Sequence, residues 1–176
     1  TGVILTSDGL VLTNHHVVAG STSIRAAVAG TTRTYSATVV GYDASHDIAV
    51  IQLRGASGLV PAPIGDSSQV RVGDVVIGLG NAGGAGGAPI PADGSVTGLD
   101  RSITAMDSET GSSEDLTGLI ETNAPIQPGD SGGALVSADG KIVGINTAGS
   151  TGASGLSQGT TDGYAVPINQ AMAIAG

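Results

Sequence analysis

Short runs of aliphatic and β-branched residues recur along the chain, and polar turn residues separate them. Such runs, bounded by Gly, Asp, Ser and Asn, are typical of strands joined by tight turns. The segments that predict strands are residues 3–5, 10–12, 23–28, 35–42, 48–53, 75–79, 119–122, 134–136, 142–147 and 164–166. This pattern favours an all-β protein built from antiparallel, hairpin-connected sheet.

Helical periodicity is confined to two places. Residues 168–175, after Pro167, predict a short C-terminal helix with Asn169 as its cap, and a turn is predicted near Val17. Parallel α/β sheets need crossover helices between their strands, and the chain lacks them. An α/β fold is therefore excluded.

Two β units are predicted, with a linker between them. Residues 55–68 contain two prolines and few periodic apolar positions, which is typical of a connecting segment. The first unit is then 1–54, and the second is 69–176 including the C-terminal helix. Within the second unit, residues 81–88 predict a flexible Gly-rich loop and residues 107–115 a polar, acidic loop.

Composition narrows the function classes. The chain has 176 residues, with 6 Lys and Arg against 15 Asp and Glu, for a net charge of −9. Nucleic acid is not an expected partner, because phosphate binding needs clustered cations. The absence of cysteine excludes disulfides and a thiol nucleophile. No apolar run approaches the roughly 18 residues of a membrane span.

The most specific motif is Gly-Asp-Ser-Gly-Gly at residues 129–133. Glycines beside a serine let a substrate backbone come close, and they let successive amides point at one position, as an oxyanion requires. The alternative interpretation is an ordinary Gly-rich turn. Ser131 is therefore a candidate nucleophile if an activating base can be found.

Candidate partners for Ser131 lie at the ends of two predicted strands. A serine hydroxyl needs an imidazole base, and that base needs a carboxylate to fix its tautomer. Residues 13–16 contain two histidines just after one strand, and Asp47 opens another. A lone histidine or aspartate is usually structural, but their co-occurrence with residues 129–133, in the order His, Asp, Ser, favours catalysis.

The chain resembles the chymotrypsin-like (trypsin-like) serine peptidases, and within them the bacterial HtrA/Deg branch, close to its secreted actinobacterial members. The stretches that carry this resemblance are residues 2–18, 47–53, 80–81, 94–98, 119–135, 142–148 and 163–169. It implies two antiparallel β-barrels with the active site in the cleft between them. The opening strand of the first barrel is not part of the sequence, so we expect that barrel to be incomplete at its start.

The resemblance also assigns roles to residues. It implies a catalytic triad of His16, Asp47 and Ser131, with the amides of Gly129 and Ser131 as the oxyanion hole. His15 would be a neighbour of the base, and His46 a solvated loop residue.

The substrate pocket is likewise inferred from the resemblance. Pro125 stands where an aspartate would select Lys or Arg in related enzymes, so we expect no cation specificity. Ile126 and the segment Thr147, Ala148 and Gly149 would bind substrate through apolar or small surfaces. This favours Val, Ala, Leu or Ile on the acyl side of the cleaved bond.

The predicted function is a serine endopeptidase that acts on unfolded or exposed polypeptides, in extracytoplasmic protein quality control. No cofactor or metal site is predicted. A PDZ module or oligomer partners would belong to a longer protein. Two alternatives are an HtrA-like chaperone or binding module with an inactive triad, and a structural β-sandwich whose motif is only a turn. Active-site labelling distinguishes them.

Two positions depart from the HtrA pattern. Asn123 stands where these proteins commonly carry Asp, and Asp130 stands where they frequently carry Asn. Both lie in the segment that leads to Ser131, so they bear on how that segment is organised.

Overall fold

The computed structural model describes residues 1–84, 86–106, 113–147 and 162–176. Strands dominate this part of the chain. In chain order the elements are β1 (Val3–Ile4), β2 (Leu10–Thr13), α1 (His15–Val18), β3 (Ile24–Ala27), β4 (Thr34–Asp43), β5 (Ile48–Leu53), β6 (Val75–Gly80), β7 (Ile90–Met106), β8 (Ser113–Thr122), β9 (Ala134–Ser137), β10 (Ile142–Thr147), β11 (Gly163–Pro167) and α2 (Ile168–Ala175).

The strands form two antiparallel sheets. The first is a 5-stranded open sheet in the order β1-β2-β5-β4-β3, and the second is a closed barrel in the order β10-β11-β8-β7-β6-β9. The predicted fold class, all-β with two antiparallel β-barrels and a short C-terminal helix, is confirmed, and the structure shows two curled sheets and that helix. The first sheet does not close, because β1 and β3 remain its two edges.

Strand β5 shows how the sequence pattern builds two cores at once. Successive side chains of a strand point to opposite faces. Ile48 and Val50 therefore join a cluster that also contains residues of the second sheet, whereas Ala49, Ile51 and Leu53 face the interior of the first. Because both faces of β5 are buried, the strand is aliphatic almost throughout.

The cluster shared by the two sheets fixes them against each other. Its fully buried members include Leu12 from the first sheet, Ile145 from the second, and Ile168 and Ala171 from α2. A separate cluster fills the closed barrel with small branched side chains, as expected for a chain without Phe or Trp. The members of that cluster are Val76, Val96, Ile120, Leu135, Val143 and Ala165.

Strand β7 was not predicted from the sequence. It covers Ile90–Met106, where Asp93, Gly94 and Asp100 interrupt any apolar alternation. The strand forms because its backbone pairs with β6 on one side and β8 on the other. Strand β8 begins at Ser113, so residues 113–115 belong to a strand rather than to the predicted acidic loop; residues 107–112 lie outside the described part.

The segment between the two sheets is hydrogen-bonded to both of them. Leu59 N donates to Ser7 O and Ala62 N donates to Ile4 O, beside β1, while Gly65 N donates to Ile142 O of β10. The prediction that Asn169 caps the last helix is wrong, because Pro167 occupies the cap position without a side-chain bond. Asn169 instead accepts from Ser67 N at 3.1 Å through its Oδ1.

Candidate active site

His16 lies on the short helix α1, directly after β2. Val18 of the same helix is buried and anchors it, whereas the His16 side chain remains 46% exposed. The His16 Nδ1 atom lies 2.8 Å from Asp47 Oδ2. The main-chain N–H of His16 also donates to Asp47 Oδ1 at 3.0 Å. One residue therefore binds both oxygens of the carboxylate, which fixes the ring relative to it.

Asp47 is buried between the turn Ala44–His46 and β5, with only 3% of its surface exposed. Its backbone is left-handed (φ 53°, ψ 42°), which costs a non-glycine residue on the order of 1 kcal/mol. Asn14 Nδ2 holds this backbone by donating to Asp47 O at 2.9 Å. Thr147 Oγ1 donates to Asp47 Oδ2 at 3.1 Å, so the buried carboxylate has three donors.

Ser131 lies in the loop between β8 and β9 and is 5% exposed. The amides around it are used to fold the loop: Asp130 N donates to Gln127 O at 2.9 Å, and Gly133 N donates to Asp130 O at 2.9 Å. These bonds make the loop a compact turn that leads directly into β9.

Steric constraints require glycine at three positions of the Gly-Asp-Ser-Gly-Gly motif. Gly129 has φ 100° and Gly132 has φ 80°, in the region that favours glycine. A Cβ atom on Gly133 would collide with the carbonyl oxygen of Leu79. The motif therefore combines two left-handed positions with close packing at all three of its glycines.

The peptide before Gly129 has a fixed orientation. Pro128 O accepts a hydrogen bond from Gly83 N at 3.1 Å. Because the C=O and N–H of a trans peptide point in opposite directions, the Gly129 N–H points away from Gly83. The loop that contains Gly83 thus determines the direction of one of the two predicted oxyanion donors.

The end of β10 connects Ser131 to Asp47. Gly132, the residue after Ser131, donates its N–H to Asn146 O at 2.8 Å. Thr147, which follows Asn146 in β10, donates its hydroxyl to Asp47. Two adjacent residues of β10 therefore hold the two parts of the site. Asn146 holds the loop that contains the candidate nucleophile, and Thr147 holds the candidate orienting carboxylate.

A second connection runs through Thr13, three residues before His16. A Cβ atom on Gly132 would collide with Thr13 Oγ1, so the end of β2 lies against the residue that follows Ser131. The structure thus brings His16 and Asp47 into direct contact and places the Ser131 loop against the end of β2, which leads into the helix of His16.

Comparison with known proteins identifies the family of the chain. Residues 1–145 match the family described as the trypsin-like peptidase domain. The chain belongs to this family. Its relatives place it in the HtrA branch of the trypsin-like serine peptidases, as the sequence motifs predicted.

Two curated relatives and one solved structure illustrate the similarity to this trypsin-like branch. The chain is 38% identical to the serine protease PepD of Mycobacterium tuberculosis, over 99% of this chain and 40% of PepD. It is 36% identical to the putative serine protease HhoA of Synechocystis, over 99% of this chain and 41% of HhoA. The HtrA-type protease AlgW with a tripeptide superimposes with a TM-score of 0.80 at 35% identity, covering 99% of this chain and 53% of AlgW. The chain thus spans about two fifths of the length of these curated relatives.

The other two histidines of the trypsin-like domain have partners of their own. His15 stacks on Tyr42, with ring centroids 4.6 Å apart. His46 Nδ1 lies 2.7 Å from Asp43 Oδ2, within one turn. Hydrogen bonds from the Ser45 hydroxyl and then from His46 lower the pKa of Asp43 below its usual value. In this geometry His46 pairs with Asp43, whereas Asp47 pairs with His16.

The predicted substrate-binding residues have different surroundings. Ile126 is 8% exposed and packs into the closed barrel, where Cβ atoms on Gly78 or Gly163 would collide with its side chain. Thr147 ends β10, and its hydroxyl is bound to Asp47. Ala148 and Gly149 lie outside the described residues.

The two positions that depart from the HtrA pattern make local bonds. Asn123 Oδ1 accepts from Ser95 N of β7 at 2.7 Å. Asp130 Oδ2 accepts from Gln127 N at 2.9 Å, and its buried Oδ1 has no hydrogen-bond partner among the described residues. Asn123 thereby ties the segment before the nucleophile to β7, and Asp130 closes the turn that contains Ser131.

Neither a metal centre nor a membrane helix is found in the described part of the chain. Within residues 1–84, 86–106, 113–147 and 162–176, no three His, Cys, Asp or Glu side chains are grouped so that they could hold a metal ion. The same residues contain no helix with the length and apolarity needed to cross a membrane.

Sequence reasoning missed three residues that support the site. These are Asn14, whose side-chain amide holds the backbone of Asp47, Asn146, whose main-chain carbonyl accepts from Gly132 and whose side-chain amide donates to Ala134 O, and Thr1, whose hydroxyl donates to Gly129 O. Asn14 and Asn146 are fully buried. A buried amide needs partners, so two asparagines at the ends of aliphatic strands were a usable signal.

Replacement of Thr147 by valine removes one of the three donors to the Asp47 carboxylate. We expect Thr147→Val to lower the free energy of unfolding by about 1.5–3 kcal/mol, because a bond to a buried charged group is lost. Urea unfolding measures this change. Thr38→Val, at an exposed position of β4, is the matched control and should stay within about 0.5 kcal/mol of the unmodified chain. Equal effects of the two changes would contradict the role of Thr147.

Proposed function

We propose that the chain is a serine endopeptidase domain that hydrolyses peptide bonds through an acyl-enzyme. The observation that carries this proposal is the contact between His16 Nδ1 and the buried Asp47 carboxylate. With Nδ1 donating its proton to Asp47, the Nε2 atom of the ring is left with the lone pair that a general base needs. Membership of the trypsin-like peptidase family supports the same assignment.

The proposed reaction has two stages. In the first, Ser131 Oγ attacks the peptide carbonyl carbon while His16 Nε2 takes the hydroxyl proton. The N–H groups of Gly129 and Ser131 stabilise the negative oxygen of the tetrahedral intermediate. His16 then gives the proton to the leaving amine as the C–N bond breaks, which leaves an ester on Ser131.

In the second stage, water replaces the amine. His16 Nε2 takes a proton from the attacking water, a second tetrahedral intermediate forms, and the Ser131–acyl bond breaks with return of that proton to Ser131 Oγ. Asp47 stays ionised throughout and stabilises the imidazolium. The three donors to its carboxylate support this role, because they hold the carboxylate in a fixed position beside the ring.

The proposed substrates are unfolded or exposed polypeptides. Ile126, Thr147, Ala148 and Gly149 are the proposed substrate-binding residues, and Pro125 offers no carboxylate to a cationic side chain. Small and branched apolar side chains are therefore the proposed preference. Differences of one methylene between such substrates give only about 10- to 200-fold discrimination, which suits a broad range of substrates.

The proposed location is extracytoplasmic, in protein quality control of the cell envelope. One relative, 38% identical over 97% of this chain, is named a probable periplasmic serine protease of Haemophilus influenzae. The relatives are longer than this chain, so a PDZ module or oligomer partners would belong to the remainder of such a protein. The alternative function, a chaperone or binding module with a resting triad, predicts no covalent reaction at Ser131.

Covalent labelling separates the two functions. If His16 activates Ser131, a fluorophosphonate should label the chain once, at Ser131, because only an activated hydroxyl attacks the phosphorus. Intact-mass and peptide mass spectrometry measure the number and the position of the label. Ser131→Ala should not be labelled, whereas Ser36→Ala, at an exposed position of β4, should be labelled fully. Labelling at another residue, or none in the folded chain, would overturn the proposal.

Replacement of Asp47 by asparagine tests the orienting role. We expect Asp47→Asn to lower kcat by roughly 10⁴, about 5 kcal/mol of activation free energy, because the amide selects the wrong imidazole tautomer. Peptide hydrolysis under saturating substrate measures kcat, and circular dichroism checks that the fold is retained. A kcat within tenfold of the unmodified enzyme would contradict this assignment.

The histidines provide the matched controls for that experiment. His16→Ala should abolish hydrolysis, whereas His15→Ala and His46→Ala should each retain most of it, because their rings contact Tyr42 and Asp43. If His15→Ala were the inactivating change, the base would be assigned to the wrong histidine.

Cleavage of a denatured protein tests the proposed pocket. Mass spectrometry of the products should place most cuts after Val, Ala, Leu or Ile, since no carboxylate is expected at the base of the pocket. The Ser131→Ala chain, incubated in parallel, identifies cuts made by contaminants. A majority of cuts after Lys or Arg would refute the proposed pocket.

A further inference from the structure

Thr1 lies across the loop that carries Ser131. Its hydroxyl donates to Gly129 O at 2.6 Å and accepts from Asn81 N at 3.0 Å. Its carbonyl oxygen accepts from Thr13 Oγ1 at 2.6 Å, and its main-chain nitrogen donates to Ser131 O at 2.8 Å. One residue therefore contacts the loop on both sides of Asp130.

The hydroxyl of Thr1 bridges Asn81 N and Gly129 O, two backbone groups whose direct hydrogen bond is long. The direct hydrogen bond from Asn81 N to Gly129 O is 3.4 Å long, at the limit for such bonds. The Thr1 hydroxyl accepts from the same amide and donates to the same carbonyl at shorter distances. Only a side chain that both donates and accepts can bridge these two groups, which a hydroxyl does.

The bridged carbonyl belongs to the residue whose amide is a proposed oxyanion donor. Gly129 has no side chain to restrict its rotation, and its φ of 100° is one of several conformations open to glycine. The neighbouring peptides must therefore fix its direction. Gly83 N holds the Pro128 carbonyl before it, and Thr1 with Asn81 holds the carbonyl of Gly129 itself.

We propose that Thr1 is a positioning residue whose hydroxyl holds Gly129 in the orientation that presents its N–H to the oxyanion. This inference rests on the proposed serine endopeptidase activity and adds a residue outside the triad and the oxyanion hole. The Gly129 N–H belongs to the peptide before this residue, which Gly83 holds through Pro128 O, whereas the Gly129 carbonyl belongs to the peptide after it. Without the hydroxyl, the later peptide keeps only the long bond from Asn81, so Gly129 is firmly held on one side only and its N–H is aimed less strictly.

Kinetics of three variants test this role. In Thr1→Val we expect kcat for a peptide substrate to fall about 10- to 100-fold. This decrease is no larger than the roughly 10²- to 10³-fold decrease in kcat that removal of an oxyanion donor causes. We expect KM to change less than twofold. Thr1→Ser keeps the hydroxyl and should retain most of kcat. Thr38→Val, at an exposed position of β4, should behave like the unmodified chain.

Inhibitor binding distinguishes positioning from a structural effect. A peptide boronate ending in valine forms a tetrahedral adduct with Ser131, and its affinity should fall in Thr1→Val by the same factor as kcat. The affinity of the matching peptide with hydrogen in place of the boronate group, which forms no such adduct and offers no oxygen to the Gly129 N–H, should not change. All measurements are made well below the melting temperature of each variant, and Thr1→Ala replaces Thr1→Val if the valine chain does not fold.

The outcomes separate this inference from the function on which it rests. A chain whose Ser131 is neither labelled nor active would overturn both. An active chain in which Thr1→Val keeps its kcat, or in which Thr1→Ser is as impaired as Thr1→Val, would overturn the positioning role alone. Equal weakening of the binding of the boronate and of the peptide that lacks the boronate group would also overturn it, because it would indicate general damage to the site.

Discussion

The candidate site depends on a single buried carboxylate that needs donors from both sheets. Asp47 receives its bonds from His16, on the helix that follows β2 of the first sheet, and from Thr147, on β10 of the second. Burying a carboxylate almost completely costs free energy unless such bonds compensate for the lost water. The relative position of the two sheets is therefore a condition for the His16–Asp47 pair, and the core that both sheets share maintains that position.

Close backbone packing around Ser131 is a second constraint. Carbonyl groups of Leu79 and Thr1 lie where Cβ atoms of Gly133 and Gly132 would be, so the loop fits only with glycine at these places. Gly129 is packed as closely, because a Cβ atom there would collide with Asn81 O, and hydrogen bonds hold the peptides on both of its sides. The residues of the motif are therefore determined by the steric requirements of its surroundings as well as by the chemistry of its serine.

Sequence reasoning succeeded where burial dictates residue type. Strands such as β5 and β10 are buried on both faces, and their aliphatic runs predicted them closely. It failed for β7, whose polar residues carry little signal because its partners on both sides determine its course. Likewise, the pairing of Thr147 with Asp47 joins positions 100 residues apart, and no local pattern could indicate it. The pairing of His16 with Asp47 was proposed from motif order and family resemblance, and the structure brings the two together.

The segment between the sheets has consequences for engineering the chain. Connections between structural units usually tolerate added residues, because few contacts cross them. Here the connection is bonded to β1 at Ala62, to β10 at Gly65 and to the last helix at Ser67. A tag or reporter inserted there would separate the two sheets that share Asp47. The exposed turns at Gly20 and Gly30, where nothing lies close to the glycine, are the better positions for grafting.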